Sequence, residues 1–261
     1  MKIALISMDQ KWEDKAYNLT QCEVFVKHAS ELGAELIIFP EMTLTGFTMN
    51  TNISAEDADH SKSIAKLSAI SRTYKVAMIA GVVLKSNDKA ENVLIALSSA
   101  GIEQVRYSKI HPFTFAGENK YFNAGKTIEK LQVGAFTIGL SICYDLRFPE
   151  LYTALAKDCN LLVNIANWPK RRIEHWKTLL RARAIENQTF VIGVNRTGID
   201  GNGLEYEHSS MLLNANGEMV QPDIMDGEVS LYTIHADELK QFKKSFSTTQ
   251  DRQPDLYRTL I

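Results

Sequence analysis

The stretch Phe136-Thr137-Ile138-Gly139-Leu140-Ser141-Ile142-Cys143-Tyr144-Asp145-Leu146-Arg147-Phe148-Pro149-Glu150 decides how this chain reads. Its first half is a short, mostly apolar run, the signature of a strand buried on both faces. Its second half reaches Pro149, which suits a first helical turn because the N–H that proline lacks would have no helical acceptor there. Cys143 therefore stands on a strand-to-helix turn, where a sulfur can be exposed beside a backbone N–H.

Working outward, further apolar runs rich in β-branched residues predict strands at 3–6, 36–39, 76–83, 93–97, 161–165, 190–194, 211–213 and 229–234. Helical spacing of apolar residues predicts helices at 16–32, 61–74, 149–157, 175–187 and 236–246, with Gly33 placed to stop the first. Alternating strands and helices indicate an α/β fold, and the adjacent runs 76–83 and 93–97 look like a hairpin, so the sheet is expected to be mixed. No linker, charge block or repeat divides the chain, and residues 1–261 read as one domain. Segments 46–60 and 110–130 lack a periodic pattern, and long loops in compact domains are often functional.

The chain has 261 residues, of which 45% are apolar and 23% charged, which excludes disorder, collagen and coiled coil. With 29 basic and 31 acidic residues the net charge is -2, so no global field draws nucleic acid or an anionic membrane. A small molecule is the expected partner. Three cysteines without a CxxC pair make neither a disulfide scaffold nor a zinc or redox motif, and the cytoplasm is the expected compartment. The apolar run at the N-terminus is too short for a signal-peptide core, and no stretch approaches the roughly 20 apolar residues of a membrane helix. The six histidines show no ligand spacing, so no metal is expected. Phosphate-loop, dinucleotide, zincin and serine-elbow motifs are missing, and Gly201-Asn202-Gly203 reads as a tight turn.

Reactive side chains do recur at strand ends, where ligands gather in open α/β sheets. Phe39-Pro40-Glu41 closes one strand with a carboxylate, Lys109 follows Val105-Arg106-Tyr107-Ser108, and Cys143 follows residues 136–142. Taken singly, each has a plainer reading: a solvated loop acid, a solvated lysine and a buried core cysteine.

Together the three resemble the Glu-Lys-Cys triad of the nitrilase superfamily of carbon-nitrogen hydrolases. The matching motifs are Phe39-Pro40-Glu41, Tyr107-Ser108-Lys109-Ile110-His111 and the nucleophile stretch from Cys143 to Glu150, in the right order and spacing. Similarity extends through Asn92 before its strand, Gly117-Glu118-Asn119-Lys120-Tyr121-Phe122, Asn164-Ile165-Ala166-Asn167-Trp168-Pro169 and Arg181-Ala182-Arg183-Ala184-Ile185-Glu186-Asn187. The resemblance implies a four-layer α-β-β-α sandwich with mixed sheets, commonly a homodimer. Residues 194–203 look like the ω-amidase branch, whose members hydrolyse monoamides of dicarboxylic acids such as 2-oxoglutaramate.

The resemblance assigns roles. Cys143 is the nucleophile, Glu41 the general base, and Lys109 with the Tyr144 backbone N–H the oxyanion donors. Glu118 orients Lys109 and the substrate, and no cofactor is needed. Cys22 and Cys159 are core fillers, and His175 and Trp176 pack on the following helix. Asn167, Trp168, Arg171 and Arg172 follow the strand at 161–165, on the same sheet edge as Cys143 if the strands are parallel. A substrate carboxylate needs a fixed cation, and Arg172, ahead of Arg171, is the candidate. Arg147 belongs to a motif shared by branches with different substrates, and a structural salt bridge is expected there. The same triad also serves aliphatic amides, carbamoyl amines and nitriles. A non-catalytic binding module on the same fold is the competing class.

Overall fold

The computed structural model describes residues 1–260; Ile261, the last residue of the expected domain, lies outside the described residues. In chain order the strands are β1 (Lys2–Ile6), β2 (Leu36–Ile38), β3 (Ala77–Ser86), β4 (Lys89–Leu97), β5 (Glu103–Ser108), β6 (Lys130–Val133), β7 (Phe136–Ile142), β8 (Leu161–Ala166), β9 (Phe190–Asn195), β10 (Gly198–Ile199), β11 (Glu205–Tyr206), β12 (Met211–Leu213), β13 (Met219–Val220), β14 (Ile224–Asp226) and β15 (Val229–Thr233). The helices are α1 (Lys15–Glu31), α2 (Thr51–Ser54), α3 (Lys62–Tyr74), α4 (Glu118–Tyr121), α5 (Pro149–Leu155), α6 (Ile173–Asn187), α7 (Ala236–Ser245) and α8 (Pro254–Leu260). Each of the nine strand runs predicted from apolar patterning corresponds to a strand. Those not anticipated, β6, β10, β11, β13 and β14, span two to four residues, too few for a period of two to register.

One sheet runs β14-β15-β1-β2-β3-β4-β5 and the other β13-β12-β9-β8-β7-β6. Both are mixed: β1/β2, β2/β3, β7/β8 and β8/β9 are parallel pairs, while β3/β4, β4/β5, β6/β7 and β9/β12 are antiparallel. The expected hairpin is β3/β4, paired out to Ser86 and Lys89, so Asn92 lies inside its strand rather than before it.

Period-two alternation sends the side chains of each strand into two different cores. Ile3, Leu5, Leu36 and Ile38 meet Ile138, Leu140, Val163 and Ile192 in the core between the two sheets. Ala4, Ile37 and Met78 face the other way, onto Cys22 and Val26 of α1 and Leu67 of α3. Leu162, Val191 and Leu213 lie under Leu155 of α5 and Trp176 and Leu180 of α6. Three stacked cores make the four-layer α-β-β-α sandwich. Close helix contact explains two strand glycines: a Cβ at Gly193 would stand 2.4 Å from Leu180 Cδ1 of α6, and one at Gly139 3.1 Å from Leu155 Cβ of α5. Cys22 and Cys159 are buried in these helix-facing cores.

Because β3 and β5 both run antiparallel to β4, the carboxyl ends of β2 and β5 share one edge of the first sheet. The parallel strands β7, β8 and β9 likewise share an edge of the second. The residues that leave these ends build the site.

Candidate active site

Glu41 follows β2 after Phe39-Pro40 and is fully buried. Its Oε1 accepts from Lys109 Nζ at 2.9 Å and Asn92 Nδ2 at 2.7 Å, and its Oε2 accepts from the Asn167 backbone N–H at 2.9 Å. The next residue, Met42, has φ 44°, and the chain there passes so close to β3 that a Cβ on Gly81 would stand 2.3 Å from Met42 N. Only glycine fits at position 81 without moving the backbone that carries Glu41.

Lys109, just past β5, is 1% exposed, and its ammonium also reaches Glu118 Oε2 at 2.9 Å and Oε1 at 3.1 Å. Burial works against its charge, but Glu118 and Glu41 outweigh it and hold the ammonium above the usual lysine range. Glu118 opens the single turn α4 from the aperiodic segment 110–130, and it is fully buried. The ammonium stays charged in this buried setting because two carboxylates grip it.

Cys143 takes φ 45°, a left-handed conformation that a non-glycine residue seldom adopts and that clusters at functional turns. It opens a 3-10 turn, Cys143–Arg147, that leads into α5 with Pro149 in the first turn. The Tyr144 N–H, in the first turn of that element, has no acceptor within it. Burial, and then the negative charge of Glu41, push the Cys143 thiol well above its ordinary range, with Lys109 pulling the other way. Cys143 thus rests as a neutral thiol, and a base beside it would be needed to make it a nucleophile.

Asp145, in the same turn, has a role that its motif does not reveal. Fully buried, it accepts from Tyr107 Oη at 2.7 Å, Ile142 N at 2.9 Å and His111 N at 3.0 Å, and pairs with His111 Nδ1 at 2.8 Å. It thereby ties the Cys143 turn to the end of β5. The only sequence signal was an acid two residues after the thiol.

The site opens into a pocket of about 620 Å³ walled by both aperiodic segments, through Phe47 to Asn50 and through Phe113, Phe115 and Ala116. Cys143, Trp168, Arg147, Arg171 and Arg172 line it. Trp168 is a wall and also a packed side chain, its indole N–H donating to Arg172 O at 2.8 Å and its ring against Trp176 at 5.5 Å. Asn167 lies at the pocket, but its amide is engaged elsewhere, Nδ2 donating to Glu41 O at 2.6 Å. Arg172 lies over the Phe113 ring at 5.3 Å, and its pKa is lowered, first by burial and then by Arg171. Arg147 departs from its expected salt bridge: its guanidinium sits over Trp168 at 4.9 Å and beside His175 Nδ1 at 3.2 Å. Among the described residues no carboxylate pairs with Arg147, Arg171 or Arg172. His175 is exposed rather than packed, because α6 begins at Ile173 and turns position 175 outward. Gly201-Asn202-Gly203 is the turn of the β10/β11 hairpin, braced by Asp200, whose Oδ2 accepts from Tyr206 Oη at 2.9 Å at the pocket wall. Among the described residues no three His, Cys, Asp or Glu side chains are grouped to hold a metal ion.

A family model for carbon-nitrogen hydrolases matches residues 2–244. The chain belongs to the carbon-nitrogen hydrolase family. The omega-amidase YafV of Yersinia enterocolitica is 35% identical over 243 residues, covering 90% of this chain and 92% of that protein. A 2-oxoglutaramate amidase of Paenarthrobacter nicotinovorans is 36% identical over 236 residues, 86% of this chain and 80% of its own length. Among solved structures, the CN-hydrolase superfamily protein XC1258 of Xanthomonas campestris, with an arsenic adduct in its active site, superposes with a TM-score of 0.87 at 32% identity over 97% of both chains. As a carbon-nitrogen hydrolase the protein is a hydrolase of C–N bonds other than peptide bonds.

Proposed function

We propose that this carbon-nitrogen hydrolase is an ω-amidase, releasing ammonia from monoamides of dicarboxylic acids such as 2-oxoglutaramate through a thioester on Cys143. The observation that carries the reading is the pocket wall: Arg147, Arg171 and Arg172 face the same cavity as the thiol, without a carboxylate partner among the described residues. A carboxylate at the far end of an amide substrate supplies the missing charge, with Arg172 as its chief partner, Arg171 and Arg147 beside it, and Trp168 and Asn167 forming the adjoining wall. The names of the relatives at 35% and 36% identity support the same substrate class.

In the proposed mechanism Glu41 takes the thiol proton as Cys143 Sγ bonds to the amide carbon. Lys109 and the Tyr144 N–H hold the oxyanion that forms; losing one such donor costs about 10²- to 10³-fold in rate. Glu41 returns the proton to the leaving nitrogen, and the C–N bond breaks to give ammonia and the thioester. Glu41 then takes a proton from water as the oxygen attacks, and the proton passes to the departing sulfur, leaving acid and thiol. Glu118 orients the Lys109 ammonium throughout. No step draws on a metal or cofactor.

Ammonia release from 2-oxoglutaramate, compared with glutamine, a simple aliphatic amide, a carbamoyl amine and a nitrile, tests the reading. The expected order puts 2-oxoglutaramate first by kcat/KM, and preference for any of the others refutes it. The proposal treats residues 1–261 as one catalytic domain acting in the cytoplasm as a homodimer. The family match from residue 2 to 244 supports the single domain, and the free cysteines fit a reducing compartment. Sedimentation equilibrium tests the dimer.

A further inference from the structure

Asn92 occupies a position that strand patterning reserves for an apolar side chain. In β4 the period of two puts it on the face that carries Leu94 and Ala96, which belong to the core between the sheets. It is 1% exposed, and among the described residues its Oδ1 has no partner. Burying an unpaired amide oxygen costs about 1–3 kcal/mol, so packing does not explain this residue.

Its Nδ2 donates to Glu41 Oε1 at 2.7 Å and to Glu118 Oε1 at 3.0 Å, spending both amide hydrogens on two carboxylates that grip the same ammonium. A carboxylate offers about four acceptor positions. On Glu41, Asn92 and Lys109 fill those of Oε1, and the Asn167 N–H fills one of Oε2. One position remains, on Oε2, for the thiol proton.

We propose that Asn92 is a positioning residue that selects the base: by occupying Glu41 Oε1 and bridging to Glu118, it leaves Oε2 as the oxygen that exchanges protons with Cys143 and water. Asn92 touches no reacting atom and acts through the orientation of Glu41. The proposal rests on Glu41 being the general base, and a Glu41→Gln control separates the two ideas.

Asn92→Asp is the decisive variant, because it keeps the shape but replaces the donor with a third carboxylate facing Glu41, Glu118 and Lys109, with Cys143 beyond them. At pH about 8 its kcat should fall about 10- to 100-fold, the worth of a hydrogen bond to a charged group, while KM changes by less than about threefold. Lowering the pH to about 5.5 should recover part of the loss relative to the unsubstituted enzyme, since a protonated aspartic acid among carboxylates again donates one hydrogen bond. Asn92→Ser, which keeps a single donor and a small volume, should lose less than Asn92→Asp, with thermal unfolding checking that both variants fold. If Glu41→Gln is inactive while both Asn92 variants turn over within about threefold of the unsubstituted enzyme, Asn92 selects nothing and the proposal falls. A loss in Asn92→Asp that acidification does not relieve also overturns it. If Glu41→Gln itself remains active, the base reading fails first, and this proposal with it.

Discussion

Replacing Arg172 by alanine should separate charged from uncharged amides. Its guanidinium lies half-buried over Phe113 in the wall of the pocket that Cys143 also lines. Two unit charges about 4 Å apart at an effective dielectric near 20 attract by about 4 kcal/mol, and the partial exposure of Arg172 reduces the net value through screening and desolvation. About 2–3 kcal/mol then remains, or about 30- to 150-fold in kcat/KM. Arg147 and Arg171 oppose Arg172 electrostatically, so removing one cation lets the other two draw the carboxylate toward them. The Arg147→Ala/Arg172→Ala double variant should therefore lose more than the sum of the single losses. The assay is steady-state ammonia release from 2-oxoglutaramate and from an aliphatic amide of the same length without the carboxylate. The uncharged amide should change by less than about threefold. Equal losses on both substrates, or none on either, would remove Arg172 from carboxylate recognition.

Further expectations concern the reacting centre and the frame that holds it. Cys143→Ala and Cys143→Gly should both release no ammonia, but the glycine variant should melt higher than the alanine one, because φ 45° is strained for alanine and free for glycine; equal or reversed Tm values would contradict this. Glu118→Ala should lower kcat far more than it raises KM, since Glu118 orients Lys109 rather than the bound substrate; a change in KM alone would return it to substrate binding. Glu56 holds Lys15, Ser61 and Ser63 at the α1/α3 junction, and against burial these partners lower its pKa from 4.5 to about 2. A pKa lowered in the folded state contributes stability above the unfolded value of roughly 4.3, and this is lost as pH falls toward 2. Chemical denaturation between pH 6 and 2 should therefore show a shallower acid decline for Glu56→Gln, and identical slopes would show that Glu56 does not contribute.

What the sequence determined by itself was local. The apolar run ending at Ile142, followed by a thiol and then Pro149 in a first helical turn, specifies a strand, a turn and a helix whatever surrounds them, and short-range sterics and hydrogen bonding suffice to read it. Glu41 and Lys109 were legible for the same reason, each standing just past a strand whose apolar pattern is complete within a few residues. The aperiodic segments that hold Phe47 and Phe113 could be marked as loops, but not as walls of one pocket. Tertiary structure decided which groups meet. Asn167 donates its backbone N–H to a carboxylate 126 residues earlier, and Asn92 reaches Glu41 across 51 residues and Glu118 across 26; no periodicity encodes such pairings. Arg147 illustrates the same limit: its motif suggested a salt bridge, but whether a carboxylate stands within reach depends on the stacking of two sheets. There the fold supplies Trp168 and His175 instead and leaves the charge facing the pocket. Secondary structure follows from neighbours along the chain, whereas a site built from four strand ends in two sheets follows from burial, which acts only once the layers close.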